Sequence, residues 1–143
     1  MRIMGLDYGD NRVGVAVTDP LGLIANGIET ITTKGSEKEL MKRLDELIVK
    51  YEVGTIVVGM PINMNGTLGE RVEKTELFVH KLKCKYNKIK IDTIDERLTT
   101  VQATRTMTDL NIKQNKKKGL VDTLSAIYIL EMYMNKLKAL SKL

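Results

Sequence analysis

Residues 1–20 read MRIMGLDYGDNRVGVAVTDP. Two runs rich in apolar and β-branched residues, at 3–6 and 12–18, flank the turn-forming sequence DYGDN, a pattern typical of two strands joined by a tight turn. Asp7 is unexpected beside the first run, because burying an ionised carboxylate without a partner is costly. This stretch therefore predicts a sheet that begins at the N-terminus. It also predicts a carboxylate that needs a cation, a network of donors or a metal ion.

The rest of the chain indicates further strands that alternate with helices. A third strand is expected at 24–32, and Ser36 with Glu39 matches the capping box that begins a helix. The resulting order, β-β-β-α-β-α-β-α-α, predicts an α/β fold, in which helices cover both faces of a mixed sheet. The later expected elements are strands at 55–58 and 88–94, and helices at 70–83, from Thr99 and from about residue 120.

Length and composition favour one globular domain, which we expect to span residues 1–143. The chain has 143 residues, of which 43% are hydrophobic and 29% charged, a balance that allows one sizeable core. No apolar run approaches the ~20 residues that cross a bilayer, and the N-terminus reaches an acid too soon for a signal peptide. A single cysteine, Cys84, excludes an internal disulfide. We therefore expect a cytoplasmic protein with no membrane partner.

Positive charge is concentrated in two runs, KLKCKYNKIK at 81–90 and KQNKKK at 113–118. Lys and Arg total 23 against 18 acids, a net charge of +5, and basic patches can bind polyanions by releasing counterions. The first run straddles the end of a predicted helix, where lysines suit the helix dipole, so we interpret it as solvated surface. With five Tyr, one Phe and no Trp, the chain is not a base-stacking platform.

Three acids lie where a charge is locally costly: Asp7, Glu96 and Asp122. Glu96 follows an apolar strand, and Asp122 begins the most apolar helix. Each has a structural explanation, namely backbone amides of the turn for Asp7, an ion pair with Arg97 for Glu96, and the helix dipole for Asp122. Alternatively, the three together hold divalent cations such as Mg²⁺ for phosphoryl chemistry. Spacing alone does not show that the fold brings them together.

Four blocks of sequence, GLDYGDNRVGVAVTD, GMPINMNGT, DERLTT and KKGLVDTLSAIYIL, occur in this order across nearly the whole chain. Together they resemble the YqgF family, also called RuvX, of Holliday junction resolvase-like proteins. The resemblance implies a ribonuclease H-like fold, with a five-stranded mixed sheet and helices on both faces. It also implies a nuclease dependent on Mg²⁺ or Mn²⁺ that hydrolyses phosphodiester bonds of structured RNA and matures the 5′ end of pre-16S rRNA.

The same resemblance assigns site residues. It places the family's acidic triad on Asp7, Glu96 and Asp122, as catalytic residues and metal ligands. A metal ion would then offset the desolvation of Asp7. Gly5 and Gly9, on either side of Asp7, would let backbone or substrate approach closely.

The nucleic-acid-binding residues implied by the family are basic. Arg12 would lie near a substrate phosphate, with an ion pair at the turn as an equally weighted alternative. Lys116, Lys117 and Lys118 would form a mobile basic loop that binds the phosphodiester backbone without reading its sequence. Asn11 departs from the family, which usually has a basic residue there, so phosphate contact at this point is expected to be weaker.

Three other functions stay open. A Holliday junction resolvase would use the same acids on branched DNA and would need paired active sites, whereas we expect a monomer or weak homodimer. A non-catalytic RNA-binding factor for ribosome assembly would keep the fold without turnover. A nucleotide-handling ATPase is disfavoured for two reasons. ATPases of this kind close two similar domains over the nucleotide, whereas this chain is expected to form one domain. The segment GMPINMNG also lacks the ending of a Walker A motif.

Overall fold

The structure, a computed structural model, describes residues 1–33, 36–61, 69–95 and 114–141. In the last of these ranges, side chains are described from residue 123 onward. The helix predicted from Thr99 and most of the GMPINMNGT block lie outside the described residues.

Five strands and three helices form within the described ranges, and the strands lie close to their predicted positions. Strands β1–β5 span Arg2–Tyr8, Arg12–Thr18, Ala25–Thr32, Val53–Met60 and Lys90–Asp95, and helices α1–α3 span Glu37–Tyr51, Glu70–Lys85 and Gln114–Ser141. β1 and β4 extend one or two residues beyond the sequence pattern at each end, because pairing with neighbouring strands continues past the apolar run, whereas β5 begins two residues later than predicted.

The strands form one mixed sheet in the order β3-β2-β1-β4-β5. β1 and β2 pair antiparallel, as do β2 and β3, so the N-terminal hairpin is confirmed. β4 is parallel to both β1 and β5. Parallel neighbours need a crossover connection, which α2 supplies between β4 and β5. The prediction of a five-stranded mixed sheet is confirmed, and β1 lies at its centre.

Helices cover both faces of this sheet, as predicted. Alternate residues of a strand point to opposite faces. On one face, Met4 and Leu6 of β1 join a core with Leu44 of α1 and Phe78 of α2. The other face packs against α3, whose contacts with the sheet form a second core around Ala16, Val57, Ala126, Ile129, Leu130 and Tyr133.

The start of α1 confirms one half of the predicted capping box. Ser36 Oγ accepts a hydrogen bond from the Glu39 amide at 3.3 Å. The Ser36 amide donates instead to the Thr33 carbonyl at 2.7 Å, so the cap joins the helix to the end of β3.

The basic run at 81–90 lies on the surface, as interpreted from the sequence. α2 ends within it at Lys85, and its lysines pair with acids of α1. Lys81 Nζ lies 2.9 Å from Glu37 Oε1, and Lys85 Nζ lies 3.1 Å from Asp45 Oδ2. Exposed pairs of this kind contribute little to stability.

Helix α3 begins earlier than predicted, at Gln114 rather than near residue 120. The prediction of a basic loop at Lys116, Lys117 and Lys118 is therefore wrong, since these residues belong to the first turns of the helix. Lysine and glutamine are good helix formers, and a helix propagates more readily than it nucleates, so it extends through Gly119. None of the described helices has the length and apolar character needed to cross a membrane.

The buried half of α3 is anchored to β5 by one polar contact. Tyr133 is fully buried, and its hydroxyl donates to Asp92 Oδ2 at 3.1 Å. Burial, and then the hydrogen bond to this carboxylate, raises the pKa of Tyr133 to about 12. The contact fixes α3 on the sheet face that also carries Asp7.

Candidate functional site

Asp7 lies near the carboxyl end of the central strand β1, on the sheet face that α3 covers. Strand alternation places it on the same face as Gly5. A Cβ atom at Gly5 would lie 3.0 Å from both the Ala126 carbonyl oxygen and Leu130 Cβ, so α3 touches the β1 backbone there. Asp7 itself is half-buried. The carboxylate therefore enters the space between the sheet and α3, in agreement with the locally costly position inferred from the sequence.

A row of residues across the sheet connects Asp7 to α3. Asp7 lies opposite Gly14 of β2, and Gly14 lies opposite Thr30 of β3. Thr30 Oγ1 is 2.8 Å from Thr123 Oγ1 on α3. Gly14 adds no side chain between Asp7 and Thr30. The row begins at Asp7 and ends at Thr30, which contacts Thr123. Because Asp122 directly precedes Thr123, the helix backbone at position 122 lies near Thr30.

The last residue of β5 brings the chain to the same edge of the sheet. Leu6 lies opposite Val58, and Val58 lies opposite Thr93, in parallel register. The carboxyl ends of β1, β4 and β5 therefore meet at one edge, with about 5 Å between neighbouring strands. β5 ends at Asp95, the residue before Glu96. Glu96 itself lies outside the described residues.

The fold thus brings the end of β1, the end of β5 and the start of α3 to one end of the sheet, although only Asp7 of the three predicted acids has a described side chain. Within the described parts of the chain, no group of three or more His, Cys, Asp or Glu side chains could hold a metal ion. Because Glu96 and the side chain of Asp122 fall outside those parts, the acidic triad stays a prediction.

The donor chemistry of this edge fits a hard divalent cation. Carboxylate oxygens are the ligands that Mg²⁺ and Mn²⁺ prefer, and Asp7 supplies one in a half-buried position. Ser125, one helical turn after position 122, is buried, and its hydroxyl has no hydrogen-bond partner among the described residues. An unsatisfied buried hydroxyl is unfavourable by roughly 1–3 kcal/mol. A further polar group or metal-bound water near the start of α3 would satisfy it.

The β1–β2 turn places Arg12 beside the same edge. The Gly9 amide donates to the Arg12 carbonyl at 2.9 Å, and a Cβ at Gly9 would lie 2.7 Å from that oxygen. Close backbone approach therefore requires glycine at position 9, as the sequence suggested. Arg12 is half-buried at the start of β2, and its contact with phosphate stays a prediction.

Arg71, in the first turn of α2, also reaches this turn, although it is not among the site residues predicted from the sequence. Its Nη2 donates to the Tyr8 carbonyl at 3.1 Å, and its Nη1 donates to Asp10 Oδ2 at 3.3 Å. Lys74 Nζ lies 3.5 Å from the other oxygen of Asp10. The sequence signal that could have indicated Arg71 is its positive charge in the first turn of a helix, where the helix dipole disfavours a cation.

The chain is similar to known proteins over nearly its whole length. A family model described as "RuvX: Holliday junction resolvase" matches residues 1–136. A protein of Ruminiclostridium cellulolyticum named "Putative pre-16S rRNA nuclease" is 53% identical over 139 residues, which cover 96% of each chain. A protein of the same name from Acetivibrio thermocellus is 47% identical over 135 residues, which cover 94% of this chain and 96% of the relative.

Solved structures of junction resolvases share the fold. The Holliday junction resolvase of fowlpox virus superposes with a TM-score of 0.59 at 13% identity, over 96% of this chain and 99% of that one. RuvC of Thermus thermophilus, solved with a Holliday junction substrate, gives a TM-score of 0.51 at 14% identity, over 92% and 96% of the two chains. At such identities the likeness concerns the fold alone, and it confirms the ribonuclease H-like architecture.

Proposed function

The chain belongs to the RuvX family and is a phosphodiester-hydrolysing nuclease, and we propose that its substrate is structured RNA, namely the 5′ end of precursor 16S rRNA. The observation that carries the proposal is the half-buried carboxylate of Asp7 near the carboxyl end of β1, on the sheet face that α3 covers and at the edge where β5 also ends. The names of the relatives support RNA as the substrate. Residues 1–143 would form one nuclease domain that acts in the cytoplasm.

Asp7, Glu96 and Asp122 are the residues proposed to hold Mg²⁺ or Mn²⁺. When bound, such ions activate a water molecule and stabilise the leaving oxygen of a phosphodiester. The chain's own contribution is to fix the ligands in place. Asp7 pairs with Gly14 of β2, and the preceding Leu6 pairs with Val58 of β4, so the backbone of Asp7 is held in the sheet. Ligands on rigid elements preserve the geometry that the reaction needs.

The substrate and the metal dependence can be tested by single-turnover cleavage of 5′-labelled precursor 16S rRNA fragments. We expect cutting with Mg²⁺ or Mn²⁺ and none with EDTA. A four-way DNA junction serves as the alternative substrate under the same conditions. Cutting of the junction alone would contradict the RNA proposal and favour a resolvase, for which a stable symmetric dimer is also required. RNA binding without any cutting would instead favour an assembly factor.

The basic start of α3 is proposed, together with Arg12, to bind the phosphodiester backbone. Replacing Lys116, Lys117 and Lys118 together with glutamine is expected to weaken RNA binding about tenfold or more, because three cations near the proposed ligand Asp122 are removed. Each lost phosphate contact should reduce the slope of log K against log salt by roughly 0.7–0.9. Binding titrations over a salt series measure both effects.

The far end of the same helix provides a control for this variant, with two lysines replaced where the test variant replaces three, so the effects are compared per lysine. Lys136 and Lys138 are exposed on α3, well past its buried half. Replacing them with glutamine also lowers the net charge, yet we expect little change in affinity or in salt slope. Equal effects at the two ends of α3 would contradict a specific role for residues 116–118.

A further inference from the structure

Two cations of α2 hold the turn between β1 and β2. Arg71 donates to the Tyr8 carbonyl at 3.1 Å and to the Asp10 carboxylate at 3.3 Å. Its guanidinium also lies over Gly9, where a Cβ would be 3.9 Å from Nη2. Lys74, one turn further along α2, lies 3.5 Å from Asp10. The two cations therefore lie beside the carboxyl end of β1.

Helix stability does not explain a cation at position 71. Arg71 is the second residue of α2, and the neighbouring acids Glu70 and Glu73 are the residues that suit the positive end of the helix dipole. A guanidinium there opposes the dipole. Its partner compensates little, because the side chains of Arg71 and Asp10 are 49% and 55% exposed and exposed ion pairs are weak. A residue that opposes the helix dipole and gains only weak, exposed contacts in return is a candidate for function.

A phosphate group does explain it. The planar guanidinium binds phosphate oxygens through paired, charge-assisted hydrogen bonds, and it does so better than a lysine ammonium. Asp10 directs this group along the turn, and its half-exposed carboxylate can return to water when another anion replaces it. Lys74 supplies a second positive charge to the same anion.

We propose that Arg71, assisted by Lys74, binds a phosphate of the nucleic acid strand next to the one that is cut. In the free protein Asp10 occupies this position, and the incoming phosphate displaces it. This inference rests on the proposed nuclease function and adds a phosphate-binding position that lies outside the acidic triad. Arg71 is thus a residue that positions the substrate and does not act on the reacting atoms.

Opposite effects of two substitutions test the proposal. The full chain is titrated in EDTA with the labelled precursor 16S rRNA fragment and with the four-way junction. Arg71→Gln is expected to raise the Kd about tenfold and to reduce the salt slope by roughly 0.7–0.9. Asp10→Asn is expected to lower the Kd several-fold, because the guanidinium no longer has a competing partner. If the contact were only a tether of the turn, both substitutions would break it and change the Kd in the same direction, which would overturn the proposal.

Arg43 of α1 offers a matched ion pair away from the turn. It lies 2.6 Å from Glu46 and also binds Glu29, so Arg43→Gln and Glu46→Gln repeat the same changes of charge. These variants are expected to leave the Kd and the salt slope unchanged. Equal effects at both pairs would mean that net charge alone changes the affinity, which would overturn the proposal. In the double variant Asp10→Asn with Arg71→Gln, the gain in affinity should disappear. A gain that persists would also overturn the proposal.

The binding measurement keeps this proposal separate from the nuclease proposal. A protein that binds either nucleic acid through Arg71 but cuts neither would support the phosphate position and contradict the proposed function. A protein that cuts RNA with a Kd indifferent to Arg71→Gln would contradict the phosphate position alone. Absence of binding to both nucleic acids would contradict the phosphate position as well.

Discussion

Asp7→Asn is expected to lower the rate constant of single-turnover RNA cleavage by at least about 100-fold, while the protein stays folded. An amide keeps the shape of the side chain but removes the negative charge that a divalent cation requires. Altering groups that merely orient metal ligands already costs roughly 10- to 100-fold in affinity or activity. Because asparagine has nearly the same shape as aspartate, the melting temperature in EDTA should change little in the variant. Cleavage and thermal unfolding are measured on the same preparation.

Asp92 provides the matched control for this prediction. It is an aspartate of β5 on the sheet face that α3 covers, and its carboxylate accepts hydrogen bonds from the Tyr133 hydroxyl at 3.1 Å and the Thr93 amide at 2.8 Å. Asp92→Asn is expected to lower the free energy of unfolding by about 1 kcal/mol, because a charged acceptor becomes neutral, and to keep cleavage. Full activity in Asp7→Asn would remove Asp7 from the site. Loss of cleavage in both variants would indicate a general effect of charge on this face.

Strand β2 was predictable residue by residue, because its signals are local. The run at 12–18 is apolar and β-branched, and turn-forming residues bound it on both sides. The structure shows why it ends there: Asp19 Oδ1 accepts hydrogen bonds from the amides of Leu23 and Ile24, which closes the turn towards β3. A turn closed in this way by one aspartate depends on neighbouring residues alone, so a single sequence indicates it.

The assembly of the site was not predictable in the same way. Thr30 and Thr123, which join the row of Asp7 to α3, are 93 positions apart in the chain. The register of three strands decides that they meet, and no local pattern encodes that register. The contact of Arg71 with Asp10 spans 61 positions and was missed for the same reason. The grouping of Asp7, Glu96 and Asp122 came from resemblance to a family and not from spacing.

The start of α3 shows a different limit. Apolar periodicity marks the buried part of a helix, and here it begins near residue 120. The first turns, from Gln114, carry lysines that follow no apolar pattern, so only their helix propensity indicated the true boundary. When only apolar periodicity is used, a polar extension of a buried helix is therefore mistaken for a loop.

Gly5→Val is expected to lower the free energy of unfolding by about 3 kcal/mol and the melting temperature by roughly 10 °C. A Cβ at this position would already lie 3.0 Å from the Ala126 carbonyl oxygen and 3.0 Å from Leu130 Cβ. The two further methyl groups of valine would clash with α3, so the helix would have to move away from β1. Since the same helix carries Asp122, cleavage should fall too, even well below the melting temperature. Denaturant unfolding and single-turnover cleavage measure the two effects separately.

Gly54 of β4 provides the control for this substitution, because the residue next to it can move. A Cβ there would lie 2.7 Å from Met1 Cβ, but Met1 is 95% exposed at the end of the chain and can move aside. Gly54→Val is therefore expected to change the free energy of unfolding by less than about 1 kcal/mol and to keep full cleavage. A stable Gly5→Val would contradict the close contact between α3 and β1. If the variant is destabilised but cleaves at the normal rate when folded, the position of α3 on β1 does not determine the geometry of the site, and Asp122 would lose its proposed place among the ligands.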